Sequence, residues 1–186
     1  MQKNIPQLLN ALKDISQKFE TTLVGEGSLL NELKNLTSKL KLSGVNFVGR
    51  ADRNKLLNYY KNSDIFVLPS KREGMPLALL EATAMGLPIV ATNVTGNREV
   101  VRNKENGILI PFDDPKALSD ALLKIKSSKN LYSKLSKGAQ RISKEFSWKN
   151  VSKEFDVLYD KLQNKKNEKR RKKWKFLNFG ILFYLH

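Results

Sequence analysis

Residues 64–92, DIFVLPSKREGMPLALLEATAMGLPIVAT, combine two short apolar runs with a helix-like segment between them. The runs DIFVLPS and LPIVAT are bounded by turn residues and are apolar on both faces, as in buried parallel strands. The intervening segment starts at Pro76 and ends at Gly86, a pattern that predicts a helix with Pro76 as its first residue. A strand, a crossover helix and a second strand make a parallel βαβ unit.

The alternation of apolar runs and helical segments extends from about residue 5 to residue 126. Similar runs are TTLVG (21–25), VNFVG (45–49) and GILIP (107–111), and leucine-spaced segments such as SLLNELKNLTSKL lie between them. We therefore predict an α/β fold, a Rossmann-like parallel sheet with flanking helices, followed by amphipathic C-terminal helices.

The chain of 186 residues is long enough for one well-packed domain and too short for two ordinary ones. We assign residues 1–162 to the Rossmann-like domain and residues 163–186 to a basic and aromatic tail. A doubly wound domain usually opens with a strand that feeds its first helix, whereas the first predicted element here is a helix. We interpret the domain as truncated at its N-terminal edge.

Composition excludes several kinds of site. The chain has no cysteine, and its one histidine is the last residue, His186. Disulfides, thiolate or histidine metal centres and a Ser-His-Asp triad therefore cannot be built from this chain alone. The N-terminal sequence does not read as a secretion signal, and the longest apolar run, 176–185, is about half of the roughly 20 residues that a membrane-spanning helix needs. We expect a cytoplasmic protein.

The loop PSKREGMP leads from a predicted strand directly into a predicted helix. The first amides of a helix lack internal acceptors, so the N–H groups of Leu77 and Ala78 are available to an anion. Gly74 would let an oxygen atom approach the backbone closely. An ordinary βα loop with a flexible glycine explains the stretch equally well, and the residues alone leave the two interpretations open.

Two acids bracket this helix start, Glu73 on the loop and Glu81 inside the helix. Because the residues around Glu81 are apolar nearly all round the helix, we expect its carboxylate to be partly buried and to need donors. The vicinal hydroxyls of a ribose would supply two donors. A salt bridge to Arg72 or Arg98 is the alternative, and the residues alone favour it slightly.

The stretch PSKREGMPLALLEATAMGLPIVATNVTGNREVV resembles the signature of the family-4 (group 1) retaining glycosyltransferases of GT-B architecture. In that family an E-x7-E element lies in an EG-x-P-L-x-LLE-A setting. The blocks KNIPQLLNAL, LVGEGSLLNEL, VNFVGR, YYKNSDIFVLPS, NGILIPFDDPKALSDAL and FSW occur in the family's order and spacing, so the resemblance covers residues 2 to about 160. It implies that this chain is a C-terminal, nucleotide-sugar-binding half of such an enzyme.

The resemblance also implies an activity, the transfer of a sugar with retention from a UDP- or GDP-sugar to a glycan or lipid acceptor in polysaccharide biosynthesis. No metal or other cofactor is expected. Glu73 would lie near the donor sugar and Lys3 near the phosphates, as the catalytic pair, and Glu81 would bind the ribose hydroxyls. The resemblance implies further binding residues beside the diphosphate, after the first predicted strand and around the base. These are Gly74, Met75, Pro76, Leu77, Gly25, Gly27, Val48, Gly49 and Arg50.

Three of these roles have simpler alternatives. The GEG sequence that contains Gly25 and Gly27 more often marks a tight turn than a ligand site. Lys3 is equally explained as a solvated N-terminal charge, and Arg50 as a surface residue that follows a strand. We place Arg50 at the rim of the pocket only because of the resemblance.

The sequence departs from the family's pattern mainly because it lacks parts of that pattern. The family's strand and arginine upstream of Lys3 are absent, as is the N-terminal acceptor-binding domain, and Thr95 stands where a second glycine is common. We therefore expect this chain to supply the donor-binding half. The alternative is an inactive nucleotide-sugar-binding remnant or subunit that needs a partner, such as an upstream chain carrying the N-terminal domain. A nonhydrolysing sugar-nucleotide epimerase is disfavoured by the EG-x-P-L-x-LLE-A block.

The basic tail raises the question of a membrane. Residues 161–175 contain nine Lys or Arg and one Glu, so they contribute +8 of the chain's net charge of +16. Such a cluster, followed by aromatic residues, is typical of a segment that lies on an anionic membrane, here at its cytoplasmic face. The alternatives, equally open, are a disordered basic extension and out-of-frame translation past a true end near residue 162. Nucleic-acid binding is not expected, because the charge is not interleaved with stacking aromatics on the folded part.

Overall fold

The computed structural model describes the backbone of residues 2–174 and the side-chain environments of residues 2–163. The chain divides into two compact units, one ending at Lys144 and the other beginning at Glu145. The first unit has the alternating strands and helices that the sequence predicts.

The elements of the described chain follow one another in a regular α/β order, with a short 3-10 helix at Ser16–Lys18. The helices are α1 (Ile5–Leu12), α2 (Leu30–Lys39), α3 (Arg53–Lys61), α4 (Leu77–Ala84), α5 (Thr95–Val100), α6 (Pro115–Ser127), α7 (Lys129–Glu145) and α8 (Trp148–Trp174). The strands are β1 (Thr21–Val24), β2 (Val45–Gly49), β3 (Phe66–Leu68), β4 (Ile89–Thr92) and β5 (Gly107–Ile110). All five predicted strands are present, and the predicted α/β class is confirmed.

The strands pair in parallel, as predicted, but in two groups. One group is β1–β2, and the other has the order β3-β4-β5. Within residues 2–174 no strand ladder joins β1 or β2 to the other three strands. The sequence predicts a parallel sheet but not this division of its strands.

Helices cover the strands on two sides. On one side, buried residues of α1 and α6, including Leu12 and Leu118, form a core cluster with Val90 of β4 and Ile110 of β5. On the other side, Tyr60 of α3 packs with Ala82 of α4. Every residue of β4 is buried, whereas β1 alternates between half-buried and exposed residues. The core is therefore centred on β4.

Helix α4 differs from the prediction at its start and agrees with it at its end. Pro76 has a ψ of 99°, so it is the N-cap and the first helical residue is Leu77. The prediction that Pro76 is the first helical residue is therefore wrong by one position. At the other end Gly86 has a φ of 74°, and the Leu87 N–H donates to the Ala82 carbonyl. This left-handed glycine ends the helix as predicted.

The second unit contains α8, which extends to Trp174 and so into the segment that we assign to the tail. Large apolar side chains of α8, among them Phe155 and Tyr159, are exposed. No helix within residues 2–174 is long and apolar enough to cross a bilayer. The apolar end of the predicted tail, residues 176–186, lies outside the described residues.

Candidate functional site

The two predicted catalytic residues form an ion pair. Lys3 lies just before α1 and Glu73 lies in the loop after β3, and Lys3 Nζ is 2.7 Å from Glu73 Oε1. The Glu73 side chain is 7% exposed and that of Lys3 is 54% exposed. A nearly buried carboxylate needs such a partner, and a charge-assisted hydrogen bond supplies it. Lys3 is therefore positioned by Glu73 while its ammonium stays accessible.

The loop before α4 leaves the start of that helix open. Pro76, the N-cap, has no side-chain group to accept a hydrogen bond from the amides of Leu77 or Ala78, and its carbonyl accepts from the Leu79 N–H further along. The Met75 and Leu77 side chains are 54% and 69% exposed. Among the described residues the Leu77 and Ala78 amides have no hydrogen-bond acceptor, a setting suited to an anion.

Gly96 packs against this loop and was not among the predicted site residues. A Cβ atom added to Gly96 would lie 2.1 Å from the carbonyl oxygen of Gly74 and 2.5 Å from that of Glu73. A Cβ added to Gly74 would meet no atom within 4 Å. The first turn of α5 therefore packs directly against the loop backbone, whereas the opposite side of the loop, at Gly74, is open. In the sequence, the glycine of the NVTGN segment was the feature from which this close packing could have been predicted.

Glu81 is exposed on α4, contrary to the expectation that its carboxylate is partly buried. It shares this face of the helix with Leu77 and Ala84, which are also exposed, so the apolar composition of α4 does not enclose it. An exposed carboxylate does not require a protein donor, and the argument for a salt bridge is weakened accordingly. Arg98 instead points its guanidinium at Asn93 Oδ1 and Thr95 Oγ1.

Among the described residues Glu81 has one donor, the Tyr60 hydroxyl, which donates to Glu81 Oε2 over 2.9 Å. Tyr60 is 6% exposed, and this burial, with the Glu81 carboxylate as the second cause, raises the pKa of Tyr60 well above its ordinary value. The hydroxyl therefore remains a donor at all physiological pH values and orients one oxygen of Glu81. Tyr60 was missed because only the packing of α3 on α4 brings it to Glu81.

The predicted binding residues Gly25 and Gly27 and the predicted base-binding residues 48–50 meet at the carboxyl ends of β1 and β2. The Gly25 N–H donates to the Gly49 carbonyl over 2.7 Å, and the register between the two strands shifts at this point. Gly25 and Gly49 have φ angles of 136° and 67°, conformations in which glycine is favoured. An added Cβ on Gly27 would meet nothing within 4 Å, and Arg50 is exposed. The GEG turn and the VGR end of β2 thus form one accessible edge.

The predicted residues fall into three groups. One contains Lys3, Glu73, the Gly74–Leu77 loop and, in addition, Gly96, and a second contains Gly25, Gly27 and residues 48–50. The loop after β3 and the turns after β1 and β2 lie at the carboxyl ends of parallel strands, where ligands of open α/β sheets bind. Glu81 and Tyr60 form the third group, on the packed helices α4 and α3.

Comparison with protein families gives a match over most of the first unit. The family model for glycosyl transferases group 1 matches residues 1–142, which include all five strands and the loop before α4. Among curated proteins, the UDP-Gal:alpha-D-GlcNAc-diphosphoundecaprenol alpha-1,3-galactosyltransferase of Escherichia coli is 38% identical over 157 residues. That alignment covers 77% of this chain and 37% of the enzyme.

The chain also matches solved structures, among them one larger protein and one isolated C-terminal domain. Sucrose-phosphate synthase from Thermosynechococcus elongatus matches with a TM-score of 0.77 and 28% identity, covering 88% of this chain and 43% of that one. The C-terminal domain of a group 1 glycosyl transferase from Francisella tularensis matches with a TM-score of 0.66 and 25% identity, covering 76% of this chain and 77% of that domain. The chain spans less than half of the two longer proteins and corresponds to the C-terminal half of a GT-B fold.

Proposed function

Because the chain belongs to the group 1 glycosyltransferases, we propose that it binds a nucleotide-sugar donor through its diphosphate and ribose. It would supply the donor-binding half of an enzyme that transfers the sugar, with retention, to a glycan or lipid acceptor. The observation that carries this proposal is the open start of α4, where Glu73 of the loop that leads into the helix is paired with Lys3.

The diphosphate is assigned to this loop on electrostatic grounds. The leaving diphosphate gains negative charge as the bond to the sugar breaks, and oriented positive groups lower that barrier. The Leu77 and Ala78 amides and the Lys3 ammonium are such groups, and Lys3 can donate to Glu73 and to a phosphate at once because an ammonium has three protons. Glu73 keeps Lys3 in place beside the bond that breaks.

The ribose is assigned to Glu81. Its carboxylate is exposed, and the Tyr60 hydroxyl fixes one oxygen while the other has no partner among the described residues. An oriented carboxylate with free acceptor capacity suits the two hydroxyls of a ribose. The edge formed by Gly25, Gly27 and residues 48–50 would then hold the base.

The donor and acceptor classes have separate support. The name of the Escherichia coli relative specifies a UDP-sugar donor and a lipid diphosphate acceptor. A UDP-sugar is therefore the first donor to test for this chain and a GDP-sugar the second, with lipid-linked or glycan acceptors. Nothing in the donor residues calls for a metal ion, because amides and Lys3 supply the positive charge.

The binding proposal is tested by calorimetric titration of the purified chain with UDP, GDP and ADP. Saturable binding of UDP or GDP, weakened when the nucleoside without phosphates replaces the diphosphate, is expected. If none of the three nucleotides binds, the proposal is wrong.

Activity is expected to depend on a partner. The chain covers 37% of the Escherichia coli enzyme, and a donor site without its facing domain is open to water and cannot orient an acceptor. The purified chain, supplied with UDP- or GDP-sugars and glycan or lipid acceptors, is expected to show little or no transfer. Co-expression with an upstream chain carrying an N-terminal domain should restore it. Robust transfer by the chain alone would show that no partner is needed.

Gly74→Ala is expected to leave folding stability within about 1 kcal/mol of wild type, because the added methyl group meets no atom within 4 Å. The same methyl group would stand where the diphosphate approaches, so the affinity for UDP should fall about tenfold. Chemical denaturation and calorimetric titration measure the two effects. An unchanged affinity would mean that no ligand approaches the backbone at Gly74.

Lys3→Gln is expected to weaken UDP binding about tenfold while leaving uridine binding unchanged, because the ammonium acts on phosphate. Lys13→Gln is the matched control, since Lys13 is an exposed lysine at the other end of α1. Titrations with UDP and uridine compare the three proteins. If Lys3→Gln weakens UDP and uridine binding equally, Lys3 does not act on the phosphates. The same conclusion follows if Lys13→Gln weakens UDP binding as much as Lys3→Gln does.

Removing residues 163–186 is expected to abolish co-sedimentation of the chain with anionic vesicles at low salt. The reason is that each basic residue near such a surface contributes about 1 kcal/mol, and the region from 161 to 175 has nine of them. Vesicles of neutral phosphatidylcholine are the control and should bind neither form. If the shortened chain sediments equally well, the tail does not attach this protein to membranes.

A further inference from the structure

The pairing of β3 with β4 ends at the start of the loop that leads into α4. The two strands are in register up to Leu68 and Ala91. Pro69 comes next, and a proline has no N–H with which to continue the pairing. One step further along, the Thr92 hydroxyl donates a hydrogen bond to the Ser70 carbonyl. A side chain therefore joins the end of β4 to the first residues of the loop.

Asn97 of α5 orients this hydroxyl. Its Nδ2 donates to Thr92 Oγ1 over 3.1 Å and to the Thr92 carbonyl over 2.9 Å. A hydroxyl has one proton, so a Thr92 oxygen that accepts from Asn97 uses that proton for Ser70. The three residues are fully buried, where an intramolecular hydrogen bond is stronger than in water. Asn97, Thr92 and Ser70 thus form a buried hydrogen-bond chain from α5 to the loop.

The peptide unit between Ser70 and Lys71 is bonded on both of its sides. Its carbonyl accepts from Thr92, and its N–H, that of Lys71, donates to the Gln2 carbonyl over 2.8 Å. The carbonyl and the N–H of a trans peptide unit point in opposite directions, and no peptide bond within residues 2–174 is cis. The unit is therefore held in one orientation between β4 and the segment before α1.

Both members of the Lys3–Glu73 ion pair depend on this peptide unit. Gln2 directly precedes Lys3, and its Nε2 donates to the Arg72 carbonyl over 3.1 Å. Arg72 in turn directly precedes Glu73. If the unit turned, the main chain would shift on both sides of the ion pair, and the 2.7 Å contact between Lys3 Nζ and Glu73 Oε1 would change.

We propose that Thr92 is a positioning residue for the diphosphate site. Its hydroxyl fixes the Ser70–Lys71 peptide unit, and the fixed unit sets the positions of Lys3 and Glu73. Because Thr92 is fully buried, it acts through the loop and not by contact with a ligand. The inference rests on the proposed binding of a diphosphate at the start of α4.

Thr92→Val tests this role, because it keeps the branched shape of the side chain and removes the hydroxyl. Without that donor the Ser70–Lys71 unit is bonded on one side only. We expect the Lys71 amide to exchange about tenfold faster or more in the free protein, and the affinity for UDP to fall about tenfold. Residue-resolved hydrogen exchange and calorimetric titration measure the two effects.

Two variants separate this role from the general cost of losing a buried hydrogen bond. Thr92→Ser keeps the hydroxyl, so exchange at Lys71 should match wild type and UDP affinity should stay within about twofold of it. Thr83→Val is the matched control, since Thr83 is also fully buried and its hydroxyl donates to the Leu79 carbonyl over 2.6 Å. It should lower the urea midpoint about as much as Thr92→Val does, while UDP affinity and Lys71 exchange stay unchanged.

Asn97→Ser is a second test, which also serves if Thr92→Val does not fold. Serine lacks the amide group that reaches Thr92, so the hydroxyl loses its orientation and UDP affinity should fall about fivefold. Asn106→Ser is the matched control, because Asn106 is fully buried and its Nδ2 donates to the Val100 carbonyl over 3.0 Å. That variant should bind UDP as wild type does.

The inference is wrong if Thr92→Val leaves the exchange of Lys71 unchanged, or speeds it while UDP affinity stays at the wild-type value. It is also wrong if Thr92→Ser binds UDP as weakly as Thr92→Val, or if either control variant loses as much affinity as the variant that it matches. If the wild-type chain binds no UDP, the proposed function fails. Lys71 exchange in the free variants then still decides whether Thr92 fixes the loop.

Discussion

Replacing Glu81 with alanine is expected to weaken UDP binding about a hundredfold, equal to about 2.8 kcal/mol. Two hydroxyls of the ribose would lose a charged acceptor, and hydrogen bonds to charged groups contribute about 1.5–3 kcal/mol each. Folding stability should change little, because Glu81 is exposed and its one hydrogen bond within the described part of the chain is to Tyr60. Calorimetric titration and chemical denaturation measure the two quantities.

Three comparisons make the result specific for the ribose. Glu99→Ala removes an exposed acid from α5 and should leave UDP affinity unchanged. Tyr60→Phe keeps the ring and removes only the hydroxyl that orients Glu81, so a loss of about fivefold is expected. Wild type should prefer UDP to 2′-deoxy-UDP, and Glu81→Ala should lose that preference. If the variant binds UDP as tightly as wild type, Glu81 serves only as the acceptor for Tyr60.

Gly96→Ala is expected to cost about 3 kcal/mol or more of folding free energy and to remove most UDP binding. The added Cβ would stand 2.1 Å from the Gly74 carbonyl oxygen, so the loop or α5 has to move. Movement of the loop separates Glu73 from Lys3 and displaces the start of α4. Urea denaturation, followed by titration of whatever fraction stays folded, checks both effects.

Gly27→Ala is the control for Gly96→Ala, because an added Cβ at Gly27 meets nothing within 4 Å. This variant should be within about 1 kcal/mol of wild type in stability. A Gly96→Ala protein that unfolds at the wild-type urea concentration and binds UDP normally would show that the close approach of α5 to the loop is unimportant.

The local pattern of apolar and turn residues was enough to predict the strands and helices of the fold. Runs such as VNFVG and GILIP are short, apolar and bounded by turns, and each became a parallel strand. Pro76 was placed one residue too far into α4, because a proline fits both the N-cap and the first helical position and only its ψ angle distinguishes them. The division of the strands into two groups was not foreseeable, since pairing joins distant residues.

The candidate site was predictable only in part, because its contacts also join residues that are distant in the sequence. The resemblance to the family indicated Lys3 and Glu73, and the structure brings them into contact across 70 positions of sequence. Tyr60 and Gly96 were missed because their contacts with Glu81 and Gly74 depend on helix packing. Glu81 was expected to be partly buried because its neighbours in sequence are apolar, but it lies on an exposed face of α4 with Leu77 and Ala84.

The central claim is that the start of α4 binds the diphosphate of a nucleotide-sugar donor, and amide hydrogen exchange with and without UDP tests it most directly. The amides of Leu77 and Ala78 have no hydrogen-bond acceptor among the described residues, and bound phosphate oxygens should slow their exchange about tenfold or more. Amides in α2 and α6 should be unaffected. Binding of UDP that leaves Leu77 and Ala78 unprotected, or that protects residues elsewhere in their place, would contradict the account.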